Sequence, residues 1–251
     1  MSLVSTPAIV LHAFPYGETS KIVRLATREY GVQSAIAKGA QRPKSRFGAQ
    51  LQLLSGGTAF LYLKPHRDLH TLTSFDLTTQ RPRLARDVRR YAAAAALAEL
   101  VLRCAPAEPH PELYDIVDEG LNRLGEAEGA GLETTALAVL WQAIAALGFS
   151  PAVEACARCG SEITGDAVFS LPEGGLLCGR CSTASRLTGR GRLTAEDQAA
   201  LQAFIEGRDV PPSALSPRHV EAHRRLVARF VRRHLGEERD LKALAFWEGA
   251  T

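Results

Sequence analysis

Two closely spaced pairs of cysteines constrain the fold of this chain more than any other feature. Cys156 and Cys159 form the first pair, and Cys178 and Cys181 form the second pair, after an interval of eighteen residues. A two-residue spacer lets a tight turn point both thiolates at one ion, and two such turns complete a tetrahedral set of sulfur ligands. The spacing predicts a zinc-ribbon-like insert at about residues 150–190, with one structural zinc ion.

Other interpretations of the cysteines remain open from the residues alone. The four thiols could be free, or they could form two disulfides if the protein were exported. A fifth cysteine, Cys104, lies in an apolar helical pattern and is expected to belong to a core. Four sulfur ligands leave no coordination position for a water molecule, so a zinc-dependent hydrolase is the least favoured function.

The first 80 residues have the sequence pattern of β structure. Apolar or alternating segments separated by turn residues predict about five strands, at residues 8–14, 20–27, 32–38, 58–64 and 69–77. Five short strands fit a small closed barrel, of which the oligonucleotide/oligosaccharide-binding (OB) fold is one type. A sheet packed against the later helices is the alternative arrangement.

From residue 82 the hydrophobic period changes to that of helices. Helices are predicted at residues 83–103, 111–121, 132–147, 194–206 and 216–235. Thr194, with Asp197 three residues on, predicts a capping box at the start of the fourth helix. Between the cysteine pairs, residues 168–178 predict a short hairpin. The chain is therefore predicted to be an α+β protein. An OB-type barrel at residues 1–80 is followed by a helical domain at 81–251, which contains the four-cysteine insert.

Charge is distributed unevenly along the chain. Residues 1–80 contain nine Lys and Arg against four Asp and Glu, whereas residues 81–150 contain seven against ten. This asymmetry predicts segments with different roles. No segment approaches the roughly 18 uncharged apolar residues of a membrane span, and no basic region precedes the apolar N-terminus. We therefore predict neither a membrane span nor a secretory signal. The predicted location is the cytoplasm.

A short stretch after the third predicted strand concentrates positive charge without any acidic residue. Its cations are Lys38, Arg42, Lys44 and Arg46. The glycines and the proline in this stretch predict an exposed loop. Such a loop beside a small barrel can follow a phosphate backbone, with Phe47 available to stack on a base, and Lys21 and Arg24 can extend the surface. The alternative is a solvated loop without a partner.

The last predicted helix is also basic. We expect its outward face to carry His223, Arg224, Arg225, Arg229, Arg232 and Arg233. A solvated amphipathic face is favoured here over an auxiliary nucleic-acid or partner surface. The sequence contains no phosphate-binding P-loop, nucleophile elbow or HExxH metalloprotease motif, so no enzymatic activity is predicted.

These residues together resemble the bacterial RecO family of recombination mediators. Residues 37–47 read AKGAQRPKSRF, which looks like the family pattern AKGARRPKSRF, and residues 8–11 and 16–23 resemble the part before it. The four-cysteine insert among helices and the final segment, residues 240–244, follow the same order. One departure is Gln41, where a basic residue is expected in many relatives.

The resemblance implies an OB fold, a helical domain and a zinc insert, in a nucleoid-associated protein of RecF-pathway DNA repair. Members bind single- and double-stranded DNA, anneal complementary strands and, with RecR, help load RecA onto strands coated by single-stranded-DNA-binding protein (SSB). By residue match, the phosphate contacts would be Lys38, Arg42, Lys44 and Arg46, with Lys21 and Arg24 as neighbours. Some members lack the cysteines, which implies that zinc is not the shared functional centre. The alternative function is an adaptor that docks RecR or SSB and has only incidental DNA affinity.

Overall fold

The computed structural model describes residues 2–106, 108–185, 191–235 and 241–250. The chain divides into two compact units, Met1–Glu126 and Ala127–Thr251. The first unit contains a five-stranded barrel and two helices, and the second contains a small sheet, the paired cysteines and further helices. The predicted α+β class is confirmed. Residues 186–190 of the predicted insert and Asp240 of the matched C-terminal segment lie outside the described residues.

Five strands form the closed barrel, in the order β1-β2-β3-β5-β4. They are β1 (Ser2–Tyr16), β2 (Ser20–Thr27), β3 (Gly31–Ala37), β4 (Gly56–Leu63) and β5 (Leu69–Thr79). β3 and β5 run parallel, and all the other neighbouring pairs run antiparallel. This order and these directions are those of the OB fold. The predicted barrel is therefore confirmed over a sheet packed on helices.

The first strand is longer than the sequence pattern predicts. Residues 2–9 pair with β4 and residues 8–16 pair with β2, because one strand must be shared for the barrel to close. The register shifts between Val10 and His12, which marks a β-bulge. Before the bulge Ala8 and Val10 belong to the barrel core, and after it Ala13 packs against that core.

Small residues of the barrel interior alternate with large ones. Ala35 and Ala37 of β3 share the core with Leu72 and Phe75 of β5. This pairing of sizes fills the interior of a narrow barrel. The closest approach is at Gly57, where an added Cβ would lie 2.4 Å from the carbonyl oxygen of Asp76, so only glycine fits.

Two helices complete the first unit, after a short 3-10 helix at Pro82–Arg86. They are α1 (Val88–Cys104) and α2 (Pro111–Glu126). The carboxylate of Asp87 caps α1 by accepting hydrogen bonds from the backbone amides of Arg89 and Arg90. The sequence places a domain boundary near residue 80, where strands give way to helices. In the compact units, both of these helices group with the barrel.

The second unit contains the remaining strands and α-helices of the described residues. They are α3 (Gly131–Ala146), β6 (Ala167–Ser170), β7 (Gly175–Leu177), α4 (Gly179–Ala184), β8 (Arg192–Leu193), α5 (Ala195–Ile205), α6 (Pro217–His234) and α7 (Lys242–Gly249). The Trp141 ring of α3 packs edge-on against Phe230 of α6, with 5.2 Å between the ring centroids. Thr194 and Asp197 form the predicted capping box of α5. Among the described residues, no helix is both long enough and apolar enough to cross a membrane.

Candidate nucleic-acid interface and metal centre

The loop that follows β3, residues 38–48, presents its positive charges to solvent, and we call it the basic loop. Consecutive turns shape it, with Arg42 N donating to the Gly39 carbonyl at 3.1 Å and Ser45 N donating to the Arg42 carbonyl at 2.9 Å. Its four cations are exposed, and within the described residues none of them pairs with a carboxylate; they are Lys38, Arg42, Lys44 and Arg46. The predicted exposed loop is confirmed.

Gln41 fastens the basic loop to the turn between β1 and β2. Its side-chain nitrogen donates to the carbonyl oxygen of Ser20 at 2.6 Å, and its backbone nitrogen donates to that of Thr19 at 2.9 Å. The residue that departs from the family pattern therefore has a positional role here. It holds the loop against the end of the β1–β2 hairpin while the neighbouring cations stay exposed.

Phe47 does not lie on the surface. Its residue is 1% exposed and belongs to the barrel core with Ala40 and Leu51. The expectation that this ring is available to stack on a base is wrong, because the ring belongs to the buried cluster that residues of all five strands form, and burying it removes apolar area from water. The Phe47 ring instead anchors the basic loop to the barrel.

The cations of β2 are less available than those of the basic loop. Lys21 is half-buried near the start of the strand. Arg24 points towards α1, and its Nη2 donates to the Leu102 carbonyl at 3.4 Å. Burial, and then the charge of Arg103, lower the pKa of Arg24. Arg28 forms a two-pronged ion pair with Asp115, with both nitrogen–oxygen distances at 2.9 Å.

Strand β1 carries a row of exposed aromatic side chains that the sequence pattern does not predict. His12, Phe14 and Tyr16 occupy alternate positions and are all exposed. Their alternation is visible in the sequence, but continued strand alternation from Ala8 and Val10 would have placed them inside the barrel. The bulge before His12 reverses that expectation, and nothing in the sequence marks the bulge.

The four paired cysteines converge in the second unit. Their four Sγ atoms all lie within 4.8 Å of one another, and those of Cys159 and Cys178 are 3.8 Å apart. Sulfur ligands about 2.3 Å from a zinc ion stand roughly 3.8 Å apart along the edge of a tetrahedron. Cys156, Cys159, Cys178 and Cys181 therefore could hold a metal ion, and the donor set fits zinc.

Local structure explains this convergence. In the first pair, Gly160 adopts a φ of 69° and its nitrogen donates to the Cys156 carbonyl at 2.8 Å, which closes a tight turn. In the second pair, Cys178 is the N-cap of α4 and Cys181 lies in its first turn. The predicted hairpin between the pairs is confirmed as β6 and β7.

The cysteine sulfurs influence one another strongly. The Ser161 hydroxyl lies 3.2 Å from Cys159 Sγ, and its hydrogen bonding lowers the pKa of Cys159 to about 5. Hydrogen bonding to Cys159, followed by burial, raises the pKa of Cys181 to about 12. Four thiolates this close would repel one another, and a divalent cation bound among them neutralises that repulsion.

The basic helix α6 is more deeply packed than predicted. His223 and Arg224, expected to face outward, are 1% and 6% exposed. Arg224 forms an ion pair with Glu133, and its guanidinium carbon lies 5.7 Å from the Trp247 ring centroid. The prediction is wrong for these two residues because α6 packs against both α3 and α7, which buries a wider stripe. The other predicted outward residues are exposed: Arg225, Arg229, Arg232 and Arg233.

Two protein-family models match this chain. The family model described as recombination protein O N terminal matches residues 1–81, and the one described as recombination protein O C terminal matches residues 85–244. These two stretches hold, respectively, the barrel with its basic loop and the four paired cysteines.

Curated relatives carry the name DNA repair protein RecO. The relative from Anaeromyxobacter dehalogenans is 34% identical over 242 residues, which cover 94% of this chain and 93% of the relative. The relative from Nocardioides is 33% identical over 249 residues, covering 96% and 97%. The relative from Synechococcus is 33% identical over 189 residues, which are 72% of this chain but only 63% of that relative's length. Family models that together match most of the chain, and relatives matched along almost their whole length, show that this chain belongs to the RecO family, whose curated members are named for DNA repair.

Proposed function

We propose that this protein acts in RecF-pathway DNA repair as a recombination mediator that binds single- and double-stranded DNA through phosphate contacts. It anneals complementary strands and, with RecR, helps load RecA onto single strands coated by SSB. We assign DNA binding to the barrel of residues 1–80, and partner docking to the helical domain of residues 81–251. The proposed location is the cytoplasm, at the nucleoid.

The observation that carries this proposal is a set of exposed cations on an OB barrel that pair with no carboxylate in the part of the chain that the structure describes. Phosphate contacts are assigned to Lys38, Arg42, Lys44 and Arg46. Lys21 and Arg24 flank them on β2, with a smaller contribution expected from Arg24, whose guanidinium is turned towards α1. Neutralising phosphates releases condensed counterions, so binding is expected to be strong at low salt and independent of sequence.

Annealing follows from the same contacts. Two complementary strands repel each other through their phosphates, and a cationic surface that neutralises those charges lowers the barrier to their approach. Contacts to the backbone leave the base edges free to pair. No covalent bond is broken in this process, so the proposed function requires no catalytic residue.

We further propose that Cys156, Cys159, Cys178 and Cys181 hold one zinc ion with a structural role. All four ligands would come from the protein, which leaves no position for a reacting water. Bound zinc supplies cross-linking between the two cysteine turns. The chain's own residues supply the rest, since the turn at Gly160 and the N-terminus of α4 orient the two pairs of thiols.

The direct test is fluorescence anisotropy of a labelled, mixed-sequence single strand across a salt series. A variant with Glu at all four basic-loop positions should lose most of its affinity. Each phosphate contact on single strands contributes about 0.7 to the slope of log affinity against log salt, so the slope should fall by roughly 3.

A matched control separates the basic loop from general charge reversal. The double variant Lys44→Glu/Arg46→Glu should bind far more weakly than Arg83→Glu/Arg86→Glu, which changes the charge equally on the exposed 3-10 helix. Weak DNA binding by the wild-type protein, indifferent to these changes, combined with tight binding to RecR or SSB, would support the adaptor function instead.

A further inference from the structure

We infer that Phe14 and Tyr16 form a stacking surface for unpaired bases, which makes the interface selective for single-stranded over duplex DNA. This inference rests on the proposed DNA binding. The cations of the basic loop contact phosphates and do not distinguish unpaired from paired bases. The stacking surface would contact the bases themselves, for which the basic loop provides no partner.

The bulge in β1 creates this surface. Ala8 and Val10 face the core, and regular alternation would direct Phe14 inward with them. The register shift between Val10 and His12 adds one residue, so that Ala13 packs against the core and Phe14 turns outward. Bulges redirect side chains in this way and are enriched next to functional sites.

Both rings are accessible to a ligand. Phe14 is 37% exposed and Tyr16 is 50% exposed. They lie two residues apart on one strand, at a spacing of about 6.8 Å along it. His12 continues the row, with its ring centroid 5.4 Å from that of Phe14. A row of exposed rings on a barrel offers planar surfaces on which successive bases of any sequence can stack.

The stacking surface adjoins the basic loop. Tyr16 pairs with Ser20 across the β1–β2 hairpin, and the Ser20 carbonyl accepts the side-chain hydrogen bond of Gln41 from the loop. The row of rings therefore ends where the basic loop is attached, and no cation of that loop pairs with a carboxylate among the residues that the structure describes. A single-stranded nucleic acid combines exposed planar bases with a polyanionic backbone and matches both, whereas a duplex hides its bases and an apolar peptide lacks the phosphates.

The experiment compares a labelled, mixed-sequence single strand with its duplex by anisotropy. Stacking is worth about 1–3 kcal/mol per base, so Phe14→Ala and Tyr16→Ala should each weaken single-strand binding roughly 5- to 150-fold. Duplex affinity and the salt slope should stay unchanged, because the phosphate contacts remain. Tyr16→Phe keeps the ring and should bind like the wild type. Tyr62→Ala removes a ring of similar exposure, 41%, from β4 and is the matched control.

A second variant gives a direct optical signal. Phe14→Trp places an indole at the surface, while the native Trp141 and Trp247 are buried. Its fluorescence should be quenched by the single strand and left unchanged by the duplex. Equal affinity of wild type and the Phe14→Ala/Tyr16→Ala variant for the single strand, or equal losses for the single strand and the duplex, would overturn the stacking surface. In either case, loss of binding in the basic-loop variant would still support the proposed function. If the basic-loop variant binds DNA as well as the wild type does, both the stacking surface and the proposed function are overturned.

Discussion

The guanidinium of Arg81 and the carboxylate of Asp118 form a partly buried ion pair, in which Arg81 Nη2 lies 2.7 Å from Asp118 Oδ1. The same guanidinium donates to Asn122 Oδ1 and to the Leu54 carbonyl, both at 2.8 Å. The Arg81 side chain is 4% exposed, so these bonds are shielded from water. Arg81, which follows β5, thereby joins the segment before β4 to helix α2.

We expect Arg81→Ala to lower the free energy of unfolding of the first unit by about 2 kcal/mol, because it leaves the carbonyl of the buried residue Leu54 and the half-buried Asp118 and Asn122 without this donor. Urea unfolding followed by far-UV circular dichroism measures the change. The control is Arg83→Ala, an exposed arginine two residues away that should cost less than about 0.5 kcal/mol. Equal midpoints for the two variants would show that water replaces the lost contacts.

Removal of zinc should weaken the second unit. We expect one zinc ion per chain by metal analysis, and a lower urea midpoint when a strong chelator is present, because structural zinc binding is coupled to folding. Trp141 and Trp247 are the two tryptophans of the chain and both lie in the second unit, so indole fluorescence reports its unfolding. An unchanged midpoint under chelation would count against a structural ion.

Single cysteine variants refine this test. Cys156→Ser should lose zinc and lower the midpoint as chelation does, because three sulfurs hold the ion less tightly. Cys104→Ser is the matched control. This cysteine ends α1 in the first unit and is not a member of the cluster, so its variant should keep one zinc ion per chain.

Much of the fold was predictable because its signals are local. The strand segments, the capping box at Thr194 and the hairpin between the cysteine pairs each depend on a few neighbouring residues, and all are confirmed. The spacing of Cys156, Cys159, Cys178 and Cys181 also carried enough information to predict the cluster that the structure shows.

The errors arose where packing between distant segments decides the outcome. Phe47 is buried because it belongs to a core to which all five strands contribute, and Arg224 is buried because α6 is covered by two other helices. The orientation of Phe14 depends on a bulge that one-residue differences in strand pairing create. Strand alternation and helical periodicity are properties of single elements, so they do not predict burial or orientation that depends on packing and pairing between elements.

The buried carboxylate of Asp197 should make stability depend on pH. Its Oδ1 lies 3.1 Å from His219 Nδ1 and 3.3 Å from His223 Nε2, and its Oδ2 accepts from Thr194 N at 3.1 Å. Burial by itself raises the pKa of Asp197, but the contacts with His223 and Thr194 outweigh it and lower the pKa to about 2.

Because this pKa is lower in the folded state than its ordinary value of 3.8, the ionised carboxylate stabilises the fold above about pH 4. That contribution should disappear as the pH falls from about 4 to about 2. We therefore expect Asp197→Asn to lower Tm at pH 6, with the difference from wild type shrinking towards pH 2.5, as followed by indole fluorescence. A difference that is constant over this range would contradict the assignment.

Single substitutions should rank the cations of the interface. Arg42→Ala removes an exposed, unpaired charge of the basic loop, so we expect weaker single-strand binding and a salt slope smaller by about 0.7. Arg24→Ala should lower the slope by less than Arg42→Ala does, because the Arg24 guanidinium already donates to the Leu102 carbonyl and its Nε is buried. Anisotropy over a salt series measures both slopes.

The comparison also tests whether the interface is rigid. If Arg24→Ala lowers the slope as much as Arg42→Ala does, the Arg24 side chain must leave the Leu102 carbonyl when DNA binds, and the phosphate path must cross β2 towards α1. If only Arg42→Ala lowers the slope, the path stays on the basic loop. Arg28→Ala provides the reference for a paired charge, since Asp115 already neutralises it, and its slope should match that of the wild type.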